Sequence, residues 1–140
     1  MFCREFPVIL LLAFSVGFAH AQQRPLLKYI PPENISTADG PGMFRAYCAV
    51  CHGSDAIGGG PAADALKKRP ADLTQLSRKN GGKFPEFQVT QVIQGYGVEA
   101  AHGSRDMPIW GNVFRTLGDQ STVKLRVANL TAYVESLQRK

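Results

Sequence analysis

This sequence predicts an all-α fold of four to five helices joined by long loops, on three observations. Val123, Val127, Leu130, Val134 and Leu137 form an i, i+4, i+7, i+11, i+14 stripe close to the end of the chain, the spacing of one helix face. Gly40, Phe44, Tyr47, Cys48 and Cys51 recur at three- and four-residue steps, which is a second face. No strand pattern flanks these residues, and 14 glycines and 9 prolines assign much of the chain to loop.

A chain of 140 residues is one domain at most. With 44% hydrophobic and 19% charged residues it has a globular composition and a modest core. The formal net charge of +5 fits docking on an acidic partner. Nucleic-acid binding would need a basic stripe or a known motif, and here the charges are scattered, so that class is set aside.

Residues 1–21 read as a secretory signal. Arg4 supplies the positive start, Pro7 to Phe18 an apolar run of 12 residues, and Ala19-His20-Ala21 the small residues of a cleavage site. The run is short of the ~20 residues that span a bilayer. Cleavage after Ala21 is expected, giving a periplasmic protein that meets membranes only through partners. Residues 22–38 carry Pro25, Pro31 and Pro32 with Leu26, Leu27, Tyr29 and Ile30 between them. They are expected to form an extended leader whose apolar side chains cover part of the core. The remaining domain is 39–140.

The first helix is expected over 41–51, with Pro41 suited to its first position and Gly53 turning the chain away at its end. It delivers Cys48-Ala49-Val50-Cys51-His52, the attachment signature of a c-type haem. One helical turn puts both thiols on one side, each able to add to one haem vinyl group, and His52 follows over the porphyrin face. A zinc site would need four nitrogen or sulfur ligands, and adjacent Cys51 and His52 pair poorly in a tetrahedron. A thioredoxin-type pair would need a βαβ context.

Gly58-Gly59-Gly60-Pro61 has no preceding strand and no Lys-Ser/Thr at phosphate-loop spacing. Its glycines are expected to let backbone pass close to a flat ligand. Short helical pieces follow near 61–69 and 72–79. A helix over 84–94 starts at Pro85, with Phe84, Phe87, Val89, Val92 and Ile93 as apolar positions, and Gly95-Tyr96-Gly97 stops it. Residues 98–118 have no period and read as a long loop with a job to do. The last helix spans 121–138, and the Gly40/Phe44 face is expected to meet Tyr133 at a close crossing.

From about 40 to 138 the chain resembles the class I cytochrome c family. The residues that carry the resemblance are Gly40, Phe44, Cys48-Ala49-Val50-Cys51-His52-Gly53, Arg69-Pro70-Ala71-Asp72-Leu73, Met107-Pro108-Ile109-Trp110-Gly111 and Tyr133. It implies a cytochrome c fold packed around one covalently bound haem c. His52 is then the proximal iron ligand and Met107 the distal one. Pro70, with Pro61 as a rival, is implied as the carbonyl that receives the imidazole N–H, the kind of acceptor a metal-bound histidine normally finds.

The distal ligand can also be approached by elimination. Beyond the pentapeptide the only methionine is Met107 and the only histidine is His102, while Met43 sits five residues before Cys48 on the same helix. Met107 is favoured, with His102 or an open position as the other outcomes. Tyr96 and Trp110 are candidate contacts of the haem or its propionates, although core packing is the commoner role for each. Arg69, Arg78 and Arg105 are candidate propionate partners of the same standing.

With both axial positions filled by protein, such a site moves one electron between redox proteins and is not itself an enzyme. The alternatives are a dedicated haem subunit of a larger dehydrogenase or oxidase, and a ligand-binding haem sensor or peroxidase. No second attachment motif and no acid/base pair beside Met107 favours the last.

Overall fold

The computed structural model describes residues 31–96 and 107–139, and within them every regular element is helical. The fold starts with α1 (Gly40–Met43), which runs without a break through a π turn (Phe44–Cys48) into α2 (Ala49–His52). Asp39 caps this run by accepting from the Gly42 N–H at 2.7 Å, and Pro41 lies in the first turn. The expected helix over 41–51 is therefore present, but its middle is wider than an α-helix. The Ala49 N–H reaches back to the Phe44 carbonyl, one residue further than an α-helical bond, and single π turns of this kind gather at functional sites.

The closing helix α6 (Gln120–Ser136) crosses α1 closely. A Cβ on Gly40 would stand 2.8 Å from the Asn129 carbonyl oxygen and 3.1 Å from Tyr133 Cβ, so only glycine lets the two backbones approach this far. Phe44 and Tyr133 stack there with ring centroids 5.3 Å apart, as the sequence predicts. Asp119 caps α6 by accepting from the Thr122 N–H at 2.8 Å. The apolar stripe is buried at Val123, Val127, Leu130 and Val134, and Leu137 packs partly against it. Met43, Phe44, Tyr47, Ile93 and Phe114 complete the core. Each such large side chain contributes about 1.5–3 kcal/mol relative to exposure.

Several elements differ from expectation. The piece near 61–69 is only a 3-10 turn, Ala63–Ala65, because Leu66 is already extended. The piece near 72–79 is a 3-10 turn, Leu73–Gln75, followed by α3 (Leu76–Lys79). In α4 (Glu86–Gln94), Pro85 is the cap and not the first helical residue. Gly95 closes α4 in the left-handed region at φ 89, with the Tyr96 N–H bonding the Gln91 carbonyl at 2.8 Å. The apolar face of α4 is narrower than its composition: Ile93 is buried, whereas Phe87 is 73% exposed and Val92 40% exposed.

The largest correction falls at 98–118. Part of the expected loop is a helix, α5 (Trp110–Arg115), packed on α6. Gly111 and Asn112 conceal it, since neither residue type signals a helix. Gly111 is nevertheless needed, because a Cβ there would stand 3.0 Å from the Gln94 carbonyl oxygen.

Residues 31–38 form an irregular strap that turns at 37–38 into the first helix. The Tyr47 hydroxyl donates to the Glu33 carbonyl and accepts from the Ile35 N–H at 3.2 Å. Arg126 donates to the Ile35 carbonyl at 2.6 Å, and Asn129 to the Thr37 carbonyl at 2.7 Å. Side chains from two helices thus grip alternate residues of the strap, and Ile35 packs against the core. The expected signal (1–21) and the leader residues 22–30 lie outside the described residues. No helix among the described residues is long and apolar enough to cross a membrane.

Candidate functional site

The pentapeptide closes the first helical run, and its carbonyls need partners because a helix end leaves them unsatisfied. The glycine-rich loop supplies them. Gly58 N–H donates to the His52 carbonyl at 2.7 Å, Gly60 N–H to Cys51 at 3.0 Å, and Ala62 N–H to Val50 at 2.9 Å. A Cβ on Gly60 would fall 2.5 Å from the carbonyl oxygens of Ala49 and Val50. Gly60 is thus where this loop comes closest to the pentapeptide backbone, whereas a Cβ on Gly59 would meet nothing within 4 Å.

Cys48 and Cys51 are both free thiols, half-buried. Burial, and secondarily the nearby Cys51, push the Cys48 thiol up to about 12, so it is a thiol and not a thiolate at neutral pH.

His52 is held by one contact. Its Nδ1 lies 3.0 Å from the carbonyl oxygen of Ala71. A carbonyl only accepts, so Nδ1 carries the proton and Nε2 keeps its lone pair. Burial lowers the His52 pKa, and the Ala71 hydrogen bond acts the other way, which leaves a neutral imidazole suited to a metal.

The acceptor is Ala71 where the sequence suggests Pro70 or Pro61. The Pro70 carbonyl instead abuts Gly58, and a Cβ on that glycine would strike it. Gly58 also has φ +90, so both its backbone and its surroundings exclude a side chain. The Leu73 N–H is bonded to the Ala56 carbonyl at 2.8 Å, and Asp72 accepts from the Thr74 N–H at 2.9 Å. From the far end of the chain, Gln138 donates to the Leu73 carbonyl at 2.7 Å and accepts from the Ser77 N–H at 2.9 Å. The roles of Ala71 and Gln138 are the ones that sequence reasoning missed, since a backbone acceptor and a glutamine clamp leave no signal in residue type.

Met107 is half-buried and lies three residues before Trp110, a span of roughly 10 Å at most. The Trp110 ring packs 5.3 Å from Tyr47, the residue before Cys48, and 5.7 Å from Phe114. Trp110 thus packs, partly buried, against the core and ties the Met107 segment to the helix that bears the thiols. Tyr96 is 69% exposed, beside a recess of about 90 Å³ between the ends of α4, α5 and α6. Arg69 is exposed on a cleft of about 370 Å³ with Gly58, Gly59, Gly60 and Asp64, and Arg78 is exposed on α3. His102 and Arg105 lie outside the described residues.

Among the described residues no three His, Cys, Asp or Glu side chains gather into a cage for a bare metal ion. The donor set is two thiols and one imidazole with a free Nε2. That set fits an iron that brings its own macrocycle, bound through the thiols, better than a metal held by side chains alone. Compared with protein-family models, with curated proteins and with solved structures, the chain matches none of them.

Proposed function

We propose that this chain is a small periplasmic electron carrier of the class I cytochrome c type, with one haem c attached through Cys48 and Cys51. In this reading His52 and Met107 are the axial ligands, and the chain passes single electrons between redox proteins. The observation that carries it is the placement of His52: its Nδ1 lies 3.0 Å from the Ala71 carbonyl oxygen, directly after the cysteines Cys48 and Cys51. Further support comes from the donor set and from the anchoring of the Met107 segment by Trp110.

When bound, the haem supplies the one-electron couple. The chain's own residues do the rest. The Ala71 carbonyl holds the proton of His52 in place and raises the basicity of the ring as a ligand. Phe44, Tyr47 and Phe114 keep water from the helix behind the thiols. The net charge of +5 favours a brief encounter with an acidic partner surface.

A visible spectrum of the oxidised and reduced protein, with a denaturing haem stain, tests the reading directly. Covalent haem with a six-coordinate spectrum is expected from a host with working maturation machinery. A colourless chain from the same host would overturn it.

A further inference from the structure

Arg126 lies on the core side of α6, only 2% exposed. Its Nη1 donates to the Ile35 carbonyl at 2.6 Å and stands 3.7 Å from the Met43 sulfur. Its Nη2 donates to the Asn34 side-chain oxygen at 2.6 Å. Among the described residues the Nε is buried with no hydrogen-bond partner, and the partners of the guanidinium are a carbonyl, a thioether and an amide, all neutral. The guanidinium keeps its charge, and burying a cation without a carboxylate is strongly unfavourable unless something offsets it. The three atoms that face it solvate the charge without cancelling it.

The position of this charge gives it a reach. The guanidinium carbon sits 5.9 Å from the centroid of the Phe114 ring, and that ring lies 5.4 Å from Tyr47, the neighbour of Cys48. Met43, on the other side, belongs to the same unbroken helical run as Cys48 and Cys51. What separates Arg126 from the pentapeptide is packed apolar side chain, through which a charge acts with little screening.

We propose that Arg126 is a buried, un-neutralised cation that raises the reduction potential of the group held by Cys48, Cys51 and His52, an assignment that rests on the electron-carrier reading. Uptake of one electron lowers the charge of that group by one, so a fixed positive charge nearby favours the reduced state. Arg126 is bonded to none of Cys48, Cys51 and His52. It is a positioning and tuning residue, and it also clasps the strap.

The two roles separate by substitution in the matured, full-length protein, reading potential by redox titration and stability by thermal unfolding. Arg126→Met removes the charge, and its potential is expected to shift negative. Arg126→Lys retains the charge, and its potential is expected to stay close to wild type. Asn34→Asp sets a carboxylate on Nη2 with the clasp unchanged. It is expected to shift the potential negative while stability holds or rises, which a purely structural role would not produce. This variant also keeps the test alive should Arg126→Met fail to mature. Ser36→Asp adds the same charge at an exposed strap position whose side chain does not bond Arg126, and a smaller shift is expected. Asn34→Asp at the wild-type potential, or Ser36→Asp shifting as far, overturns the assignment. A colourless wild-type chain would sink the electron-carrier reading itself, whereas a coloured wild type with unmoved variants sinks only the role of Arg126.

Discussion

The imidazole Nδ1 of His52 faces the carbonyl oxygen of Ala71 across 3.0 Å, and this one contact links the pentapeptide to the far end of the chain. Ala71 opens a short turn whose Asp72 caps Thr74. Gln138, two residues beyond α6, bonds both Leu73 and Ser77 in the same turn. The Arg139 N–H adds a bond to the Thr74 carbonyl at 3.0 Å. The orientation of His52 is therefore set by the docking of the closing helix as much as by the helix that carries it.

Gln138→Ala should loosen the turn. It removes bonds to Leu73 and Ser77, and a third from Nε2 to the Val134 carbonyl at 2.8 Å. Net losses of about 1 kcal/mol for each part-buried hydrogen bond put the expected cost at about 1–3 kcal/mol in urea unfolding. Because the Ala71 carbonyl moves with the turn, the variant should also, if haem is bound as proposed, replace an axial ligand with added imidazole or cyanide faster than wild type. An unchanged exchange rate would uncouple the turn from His52.

Gly58→Ala and Gly60→Ala test the loop that caps the pentapeptide. In Gly58 the new Cβ meets the Pro70 carbonyl at a backbone φ of +90. In Gly60 it falls 2.5 Å from two backbone oxygens. Neither obstacle is a flexible side chain, so backbone must shift. Each variant should lose about 1–3 kcal/mol, and Gly59→Ala should lose far less, since a Cβ there meets nothing within 4 Å. Equal stability among the three would remove the close approach as the reason for the glycines.

Acid should attack the same turn. The Thr74 hydroxyl is the main cause that holds the Asp72 carboxyl below its usual 3.8, and the Thr74 N–H, Arg139 and Lys79 reinforce it. With its folded pKa depressed, Asp72 binds a proton less readily folded than unfolded. Its contribution is complete above about pH 4 and is lost as pH falls through the depressed value. The stability gap between wild type and Asp72→Asn should therefore close as thermal unfolding is followed from pH 6 down to pH 3. A gap that stays constant over that range would contradict the assignment.

How much of this was legible depended on whether residue type carried the signal. The α6 stripe and the Gly40–Tyr133 crossing were readable because apolar spacing and a small residue on a helix face report burial directly. Arg126 was not, because it occupies a core position in that same helix while reading as surface. Its burial depends on Ile35 and Asn34 arriving from 91 and 92 residues away. The α5 helix was hidden by Gly111, whose role is close packing on Gln94 and not chain breaking. The His52 acceptor was missed by one residue because a carbonyl's direction follows backbone angles, to which the side chain of Pro70 is a poor guide. The π turn through Phe44–Cys48 likewise has no residue signature.

Met107 is the remaining member of the candidate site, and its position depends on Trp110. The indole packs on Tyr47 at 5.3 Å and on Phe114 at 5.7 Å, so the segment leading back to Met107 starts from a fixed point beside the thiol-bearing helix. A thioether opposite an imidazole raises the potential of a haem iron relative to weaker partners. Met107→Ala should therefore lose the weak red charge-transfer band of the oxidised protein, shift the potential negative and let the reduced protein bind carbon monoxide rapidly. Trp110→Ala leaves the sulfur in place but frees its anchor, and should give a partial form of the same three changes. Were His102 the ligand, Met107→Ala would leave the spectrum of the oxidised protein as it is in wild type, and His102→Ala would alter it.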